Sequence, residues 1–288
     1  VYDHVALPRH PRATIWRYAL DLRRQDFSGF DVLHCHGDDC FLGLKRRPRH
    51  IRTFHGSSLA EARACKVWRF KLRMIALALG EFASLAVADL CIANSRRTMR
   101  FFPRVRHYIP CGVDLDLFHP GADKSKNPSI LFVGTLDSRK RGRMLLEVFS
   151  REIRPAIPEA ELWIVREPGP VETEGVRLFG RVDDQTLARL YREAWVFCMP
   201  SSYEGFGVPY VEAMASGTPV VATYNDGARE VLDEGRFGKL CPDSELGKTM
   251  LEVLDSPEQR RMLTAAGLER AQAFGWPSVA RKYLAAYR

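Results

Sequence analysis

The chain has 288 residues, of which 46% are hydrophobic and 27% charged, a globular composition with room for two domains of about 150 residues. Its longest apolar stretch, around 74–79, is interrupted by Gly80 and Glu81 and is far too short to cross a bilayer, so we expect no transmembrane segment. Residues 1–110 carry 20 Lys and Arg against 9 Asp and Glu, whereas residues 111–288 carry 23 against 26. This asymmetry predicts that the first part faces an anionic partner, such as a lipid surface, an acidic acceptor or nucleic acid.

The cysteines and the N-terminus bear on the compartment. The seven cysteines are scattered and odd in number, and several lie in apolar strand-like runs, which predicts reduced thiols in a reducing compartment. The sequence opens with Val1, Tyr2, Asp3 and His4 and shows no secretory signal pattern. We therefore expect a cytoplasmic protein whose N-terminal domain is incomplete at its start.

The first part of the chain predicts helices and strands in loose alternation. The polar stretch 120–128, which follows Pro110, Cys111 and Gly112, is typical of a linker between domains. The predicted elements are a helix near 13–25, strands at 30–36 and 50–55, one long helix from 58 to about 86, and strands at 88–93 and 105–110.

The second part alternates short apolar strands with helices more clearly. This alternation predicts an α/β fold with a parallel sheet covered by helices, and two such domains are expected to hold a ligand in a cleft at their strand ends. The predicted strands are 129–136, 161–165, 176–180, 196–200, 219–223 and 238–241. The predicted helices are 143–154, 184–193, 209–216, 245–255, 257–274 and 277–287.

The most specific passage is a strand–loop–helix segment at 200–221. Gly205 and Gly207 allow backbone N–H groups to approach a ligand, and the following helix N-terminus adds about half a positive charge, so an anion site is predicted. Glu204 and Glu212 would lie about 12 Å apart on a helix, farther than the paired carboxylates of a glycoside hydrolase. A plain structural joint with two solvated acids is the alternative interpretation.

This segment resembles the signature of the family 4 retaining nucleotide-sugar glycosyltransferases, which have the GT-B fold of two facing Rossmann-like domains. The likeness covers most of 88–288 and, more weakly, 1–87. It implies an N-terminal acceptor domain at 1–112, on which a C-terminal helix at about 276–288 can pack back, and a donor domain at 113–288. The matching segments are Ile109–Asp114, Ile130–Gly134, Phe179–Val182, Ala222–Thr223, Gly227 and Glu230–Val231.

The resemblance implies roles for the residues of the glycine-containing loop. Glu204 would hold the hydroxyl groups of the donor sugar, and Glu212 would hold the ribose hydroxyls. The sugar and the diphosphate would contact the backbone of Gly205, Phe206, Gly207 and Val208.

The loop after the strand at 129–136 is expected to bind the diphosphate. After Gly134, Thr135 stands where the family usually has an Arg, and Arg139, Lys140 and Arg141 offer compensating charge. We expect Lys140 to clamp the diphosphate, with Gly134 and Arg139 in the same site, because charge-assisted contacts stabilise a leaving anion. A solvated basic start of a helix is the alternative interpretation.

Two further residues are assigned by the resemblance. His55 ends a strand and would lie over the donor sugar near its anomeric carbon, whereas a lone histidine at a strand end is more often structural. Arg181 lies in the loop that would contact the nucleotide base.

The segment 34–40 invites a zinc interpretation, because it contains two histidines, two cysteines and two aspartates. His34 and His36 share one face of the predicted strand, so their rings can converge. No second cluster has suitable ligand spacing, and the resemblance implies histidine here without metal. We therefore expect neither a metal nor a cofactor.

A basic stripe is predicted on the long helix by Arg63, Lys66, Arg69 and Arg73, and Lys45–Arg49 adds to it. Such a helix is typical of binding to an anionic membrane, although an ordinary solvated surface fits equally well. Nucleic acid is not expected, because no nucleic-acid-binding module accompanies the charge.

These features predict a retaining glycosyltransferase that moves a sugar from a nucleotide diphosphate-sugar to the hydroxyl of a lipid-linked, glycan or small-molecule acceptor, at the inner face of the membrane. Residues 1–30 lack the family's first strand and glycine-rich loop, since Gly29 is the first glycine. The alternative is therefore a catalytically silent relative that binds nucleotide-sugar or a partner protein. A sugar-nucleotide epimerase is a third interpretation.

Overall fold

The computed structural model describes residues 17–288 except 38, 45–47, 65–67, 122 and 167–168. The chain divides into two compact units: unit 1 is Val1–Pro110 with Tyr283–Arg288, and unit 2 is Cys111–Lys282. The predicted start of the N-terminal domain and the first residues of the helix near 13–25 lie outside the described residues.

Unit 1 is built on a parallel sheet with the strand order β1-β2-β3-β4 among its described residues. The strands are β1 (Val32–Cys35), β2 (Arg49–Phe54), β3 (Leu90–Ala93) and β4 (His107–Tyr108). The helices are α1 (Arg17–Arg24), α2 (Ser58–Ala64), α3 (Trp68–Val87) and α4 (Arg96–Phe101), with a 3-10 turn at Leu42–Leu44. In the core cluster of this unit, Phe102 and Val105 pack with the strand residues Phe54, Cys91 and Ala93.

The prediction of one continuous helix from 58 to about 86 is wrong. Ser58, at the start of α2, donates hydrogen bonds from its N–H and its Oγ to the carboxylate of Glu81, and the Oγ–Oε1 distance is 2.7 Å. In a straight helix, residues 23 apart would be separated by about 35 Å. The chain therefore reverses between α2 and α3, and Arg63 lies on a different helix from Arg69 and Arg73.

The predicted single basic stripe is therefore wrong as well. Lys66 and residues 45–47, which were part of that prediction, lie outside the described residues. Among the described residues, no helix is long and apolar enough to cross a bilayer.

Unit 2 is built on a six-stranded parallel sheet with the order β10-β9-β8-β5-β6-β7 among its described residues. The strands are β5 (Ser129–Val133), β6 (Glu161–Val165), β7 (Val176–Gly180), β8 (Val196–Cys198), β9 (Val220–Thr223) and β10 (Lys239–Cys241). The helices are α5 (Gly142–Val148), α6 (Arg154–Ala156), α7 (Asp184–Glu193), α8 (Val208–Ala215), α9 (Asp226–Val231), α10 (Leu246–Asp255), α11 (Pro257–Ala271) and α12 (Trp276–Tyr287). The last residues of α12, from Tyr283 onward, belong to unit 1.

The predicted α/β class is confirmed. Every residue of β5 is buried, as expected for a parallel strand covered by helices on both faces. The strand ends at Val133, earlier than predicted, because Gly134 begins a turn. The helix predicted at 143–154 is interrupted by a π-helical turn at Phe149–Ile153, just before Pro155, which cannot donate a helical hydrogen bond.

The segment 120–128, predicted as a linker between the domains, lies within unit 2 and is anchored to it. The Lys124 ammonium donates to the carbonyl oxygens of Ala194 and Gly217 at 2.9 and 3.1 Å, and to Thr218 Oγ1 at 2.8 Å. Ala194 and Gly217 follow the C-terminal ends of α7 and α8, where a cation is favourable to the helix dipoles.

We expect Lys124→Met to lower the free energy of unfolding by about 1–2 kcal/mol, because carbonyl acceptors at two helix ends lose a charged donor. Urea denaturation compared with Lys126→Met, an exposed lysine in the same segment, measures the effect. Equal stability of the two variants would show that Lys124 does not anchor the segment.

Candidate active site

The carboxyl ends of β5 and β8 bring together most of the predicted donor-site residues of unit 2. Parallel neighbouring strands end at the same edge of a sheet, where ligands of such folds usually bind. Lys140 follows β5, Glu204 follows β8, and Glu212 lies on α8. We call Arg139, Lys140, Glu204 and Glu212 the strand-end cluster.

Lys140 is held in place by the backbone of β5. Its ammonium group donates to the carbonyl oxygen of Val133 at 2.7 Å. A Cβ atom at Gly134 would lie only 2.6 Å from Lys140 Cδ, so a larger residue there would displace the Lys140 side chain. Burial lowers the pKa of Lys140 below its ordinary value. A cation that has lost water in this way gains from a bound anion.

Glu204 is buried, with 5% of its surface exposed. Its Oε1 atom has two polar partners. Oε1 accepts a hydrogen bond from Ser201 Oγ at 2.9 Å and lies 2.7 Å from an Arg139 guanidinium nitrogen. The same nitrogen donates to the carbonyl oxygen of Tyr203 at 2.7 Å. Arg139 therefore fixes the carboxylate and its loop, which differs from the predicted role as a free binding cation.

The glycine-containing loop, residues 205–208, leads directly into α8. Gly207 has φ +99°, and a Cβ there would lie 2.5 Å from the ring of Tyr210, so glycine is required. No side chain caps the first turn of α8, which starts at Val208 with Pro209 next to it. An anion at this turn would meet the N–H of Val208 and those of the preceding loop, because Pro209 has no N–H and Tyr210 N donates to the Gly207 carbonyl oxygen at 3.0 Å.

Gly227 lets α9 pack against the loop that carries Glu204. A Cβ at this glycine would come within 2.7 Å of Glu204 Cβ and of the Phe206 carbonyl oxygen. Asn225 caps α9 through Oδ1 and donates from Nδ2 to the carbonyl oxygen of Ser201 at 3.2 Å. These contacts explain why the sequence around Gly227 matches the family: its residues support the loop that carries Glu204.

Glu212 is positioned by a residue that the sequence analysis did not find. Tyr191 donates from its hydroxyl to Glu212 Oε2 at 3.0 Å. Burial raises the pKa of Glu212, although the hydrogen bond from Tyr191 and the charge of Lys140 act in the opposite direction. Burial, and then the charge of Glu212, raises the pKa of Tyr191 well above its ordinary value, so the phenol remains a neutral donor.

Arg141 forms hydrogen bonds with several segments at the edge of the sheet. Its Nε donates to the Pro200 carbonyl oxygen at 2.6 Å, and its two other nitrogens reach Asp243 and Thr223 at 2.5 and 2.8 Å. It thereby ties the last residue of β9 to the segments that follow β8 and β10. The charge that it was expected to offer a ligand is used within the protein.

Arg181 and Arg166 follow the adjacent strands β7 and β6, and both are exposed. Arg166 N donates to the Gly180 carbonyl oxygen at 2.6 Å. Arg181 is predicted from the sequence to contact the nucleotide base. Arg166 was not predicted, because its only sequence signal is a position directly after a buried strand. The assigned role of Arg181 stays a prediction.

His55 directly follows β2 in unit 1, as predicted. Its Nε2 shares a 2.7 Å hydrogen bond with His36 Nδ1, and Asn94 Nδ2 donates to its backbone oxygen at 3.3 Å. Burial, followed by the charges of His36 and Arg52, lowers the pKa of His55 to about 4. The imidazole is therefore neutral near pH 7.

His34 lies beside His36, with 4.3 Å between ring centroids, but both of its ring nitrogens are engaged. Nδ1 is hydrogen-bonded to the Tyr287 hydroxyl at 2.7 Å, and Nε2 to Thr53 Oγ1 at 2.8 Å. Tyr287 comes from the end of α12, so the last turn of the chain is bound to the sheet of unit 1.

The zinc interpretation of 34–40 does not fit the contacts of Asp39. Cys35, Asp39 and His50 lie close enough to share an ion. Yet Asp39 Oδ2 accepts from His50 Nε2 at 2.7 Å, and Oδ1 accepts from Arg52 at 2.7 Å and Ser84 at 2.6 Å. Both carboxylate oxygens thus serve a buried polar network, and Asp38 lies outside the described residues.

The fold and the site define a class of protein, the GT-B glycosyltransferases. Residues 127–256 match the family model described as glycosyl transferases group 1, and residues 2–117 match the model described as glycosyltransferase family 4. The sucrose-phosphate synthase of Thermosynechococcus elongatus superposes with a TM-score of 0.77 and 26% identity, over 90% of this chain and 73% of that one.

Two relatives of this chain within the class are mannosyltransferases. The phosphatidyl-myo-inositol mannosyltransferase of Mycobacterium tuberculosis is 30% identical over 284 residues, which is 90% of this chain and 73% of that protein. The MMP alpha-(1->4)-mannosyltransferase of Mycolicibacterium hassiacum is 36% identical over 200 residues, 64% of this chain and 48% of that protein. The chain belongs to the group 1, family 4 glycosyltransferases, and it is an enzyme of that class.

We expect Glu212→Gln to raise the melting temperature at pH 7 while weakening nucleotide binding about tenfold. The raised pKa means that the ionised carboxylate costs folded-state stability, and this cost disappears as the pH falls below the ordinary value of 4.5. The stability gain should therefore be present at pH 7 and vanish below pH 4.5.

Thermal melts across this pH range, with the exposed Glu147→Gln as control, measure the first effect, and calorimetric titration with nucleoside diphosphates measures the second. A loss of stability at pH 7 would contradict the assignment of Glu212 as a buried carboxylate whose ionised form costs stability in the absence of a ligand.

Proposed function

We propose that the enzyme transfers a sugar from a nucleoside diphosphate-sugar to an acceptor hydroxyl with retention of the anomeric configuration. One observation carries the proposal: a partly desolvated cation, Lys140, and a helix start that no side chain caps lie at the same sheet edge as the buried carboxylate of Glu204. The first two features favour an anionic leaving group. The third favours a polyhydroxyl group next to it.

The diphosphate is assigned to Lys140 and to the backbone N–H groups of residues 205–208. As the bond between the anomeric carbon and the diphosphate breaks, negative charge grows on the diphosphate oxygen. Fixed donors that already face this position stabilise the transition state without reorganisation. Gly134 and Gly207 serve the site indirectly, because they leave room for Lys140 and for the turn before α8.

The two acids are assigned to the two hydroxyl-bearing parts of the donor. Glu204 accepts hydrogen bonds from the sugar, and Glu212, oriented by Tyr191, accepts them from the ribose. Holding the donor at both ends orients its reacting carbon and lowers the entropic cost of reaction.

His55 is proposed to lie beside the anomeric carbon. A neutral imidazole, as expected from its lowered pKa, does not repel the positive charge that develops on the sugar. The acceptor oxygen attacks on the face from which the diphosphate leaves. Its proton passes to a diphosphate oxygen, so no protein base is required.

The names of the relatives guide the choice of substrate. Both are mannosyltransferases, and the name of one includes phosphatidyl-myo-inositol, a membrane lipid. We therefore propose a mannosyl donor and a lipid-linked acceptor as the first substrates to test.

We expect Lys140→Ala to reduce turnover about a hundredfold or more, because it removes an electrostatic contact to the leaving group. The measurement is release of nucleoside diphosphate from GDP-mannose and other nucleotide-sugars, with the exposed Lys248→Ala as control. Product NMR then reports the anomeric configuration.

The competing interpretations give different results in the same assay. Donor binding without release, for every donor and acceptor tried, would support the catalytically silent relative. Isomerised donor without acceptor would indicate an epimerase, and an unchanged rate for Lys140→Ala would contradict the assigned role.

The acceptor side of the proposal rests on an exposed apolar stripe of α3. Trp68, Leu72, Ile75, Leu79 and Phe82 are each at least 40% exposed. Their spacing of four, three, four and three residues places them on one side of the helix.

The opposite side of α3 faces the protein. Met74, Ala78 and Ser84 are buried there. Arg69, Lys71 and Arg73 on the same helix are exposed. A helix with an exposed apolar stripe and exposed cations is suited to the boundary between acyl chains and anionic headgroups, so we propose that α3 lies on an anionic membrane.

We expect the double charge reversal Arg69→Glu with Arg73→Glu to weaken binding to vesicles containing phosphatidylinositol at least tenfold, since each basic residue near such a surface contributes about 1 kcal/mol. Turnover with a soluble acceptor should not change. Co-sedimentation with Arg104→Glu and Arg106→Glu as matched control measures the difference. Equal losses for both pairs would contradict docking through α3.

A further inference from the structure

In the proposed function, cations of the protein balance the negative charge of the bound diphosphate. In a nucleoside diphosphate-sugar it carries about two negative charges near pH 7. Lys140 offers one positive charge from the loop after β5, and Thr135 in that loop is uncharged. A second cation at the same sheet edge would complete the match.

Most cations of this edge are already paired. Arg139 is bound to Glu204, Arg141 to Asp243, and Arg143 to Asp137. Removing any of these guanidinium groups from its carboxylate would leave that acid without its partner. None of the three is therefore a good candidate for the second contact.

Arg166 lies directly beside the position of the Lys140 ammonium. Strands β5 and β6 are parallel neighbours in which Val133 pairs with Val165. The Lys140 ammonium binds the Val133 carbonyl oxygen, and Gly134 N donates to the Val165 carbonyl oxygen at 2.9 Å. Arg166 is the next residue after Val165, so its backbone lies beside the strand end that binds the Lys140 ammonium.

The backbone of Arg166 is also unusual. Its φ is +78°, in the left-handed region that residues other than glycine rarely adopt. The conformation is held by the 2.6 Å hydrogen bond from Arg166 N to the Gly180 carbonyl oxygen. Glycine would satisfy this backbone without strain, so the presence of arginine points to a use for its side chain.

We propose that Arg166 is a second diphosphate-binding residue, which contacts the donor together with Lys140 and takes the place of a cation at Thr135. The inference rests on the proposed function. Its chemical target is the anionic diphosphate, not the base or the sugar.

Electrostatics agrees with this position. Burial is the main influence on the pKa of both Lys140 and Glu212, and the charge of Arg166 acts on both in addition, lowering each. The side chain is exposed, so a ligand can reach it.

Calorimetric titration with UDP and GDP, and with the uncharged nucleosides uridine and guanosine, tests the proposal. Arg166→Gly should weaken binding of the nucleoside diphosphate about ten- to a hundredfold. Nucleoside binding should change less than about threefold. Because glycine relieves the left-handed backbone, the same variant should melt about 2–4 °C higher, which separates lost binding from lost folding.

Two further variants serve as controls. Arg166→Lys keeps the charge and should retain most of the diphosphate affinity. Arg143→Gln removes an exposed cation that is paired with Asp137 near the same edge, and it should leave affinity within about threefold of the original chain.

Each outcome has one meaning. Unchanged diphosphate affinity in Arg166→Gly, with a loss in Lys140→Ala, would overturn this inference and leave the proposed function standing. Equal losses of diphosphate affinity in Arg166→Gly and Arg143→Gln would also overturn it, since they would show that any positive charge near this sheet edge has the same effect. If the unaltered chain binds no nucleoside diphosphate, the proposed function fails, and this inference fails with it.

Discussion

The contact on which the proposed donor site depends is the hydrogen bond from the Lys140 ammonium to the carbonyl oxygen of Val133. It places a cation at the end of a buried strand, next to Gly134, where a Cβ atom would crowd the Lys140 side chain. The same strand end sets the distance to the loop after β8, since β5 and β8 are neighbours in the sheet. One backbone acceptor thus fixes the cation relative to the sheet edge at which all the other groups are arranged.

The two carboxylates near this cation, Glu204 and Glu212, have different hydrogen-bond partners. Glu204 is neutralised by Arg139 and held by Ser201, so a buried carboxylate is retained at the sheet edge at moderate cost. Glu212 has a neutral partner, Tyr191, and its pKa is raised by burial. A carboxylate that lacks a cation of its own gains more from ligand hydroxyl groups than one that is already paired. The difference supports separate sugar and ribose roles.

Local sequence patterns predicted the parts of the site that local chemistry determines. The glycine-containing loop, the start of α8 and the position of Lys140 after a strand all follow from short segments. The pairing of Arg139 with Glu204 joins residues 65 positions apart and depends on the strand order β8-β5-β6, which periodicity does not reveal. The reversal between α2 and α3 was missed for the same reason, because helical spacing does not record where a chain turns back.

The most direct test of this account is a crystal structure of the protein with a bound nucleoside diphosphate. The account predicts a phosphate oxygen within about 3 Å of Lys140 Nζ, with the other phosphate facing the N–H groups at the start of α8. A nucleotide bound elsewhere, with no phosphate near Lys140, would contradict the account.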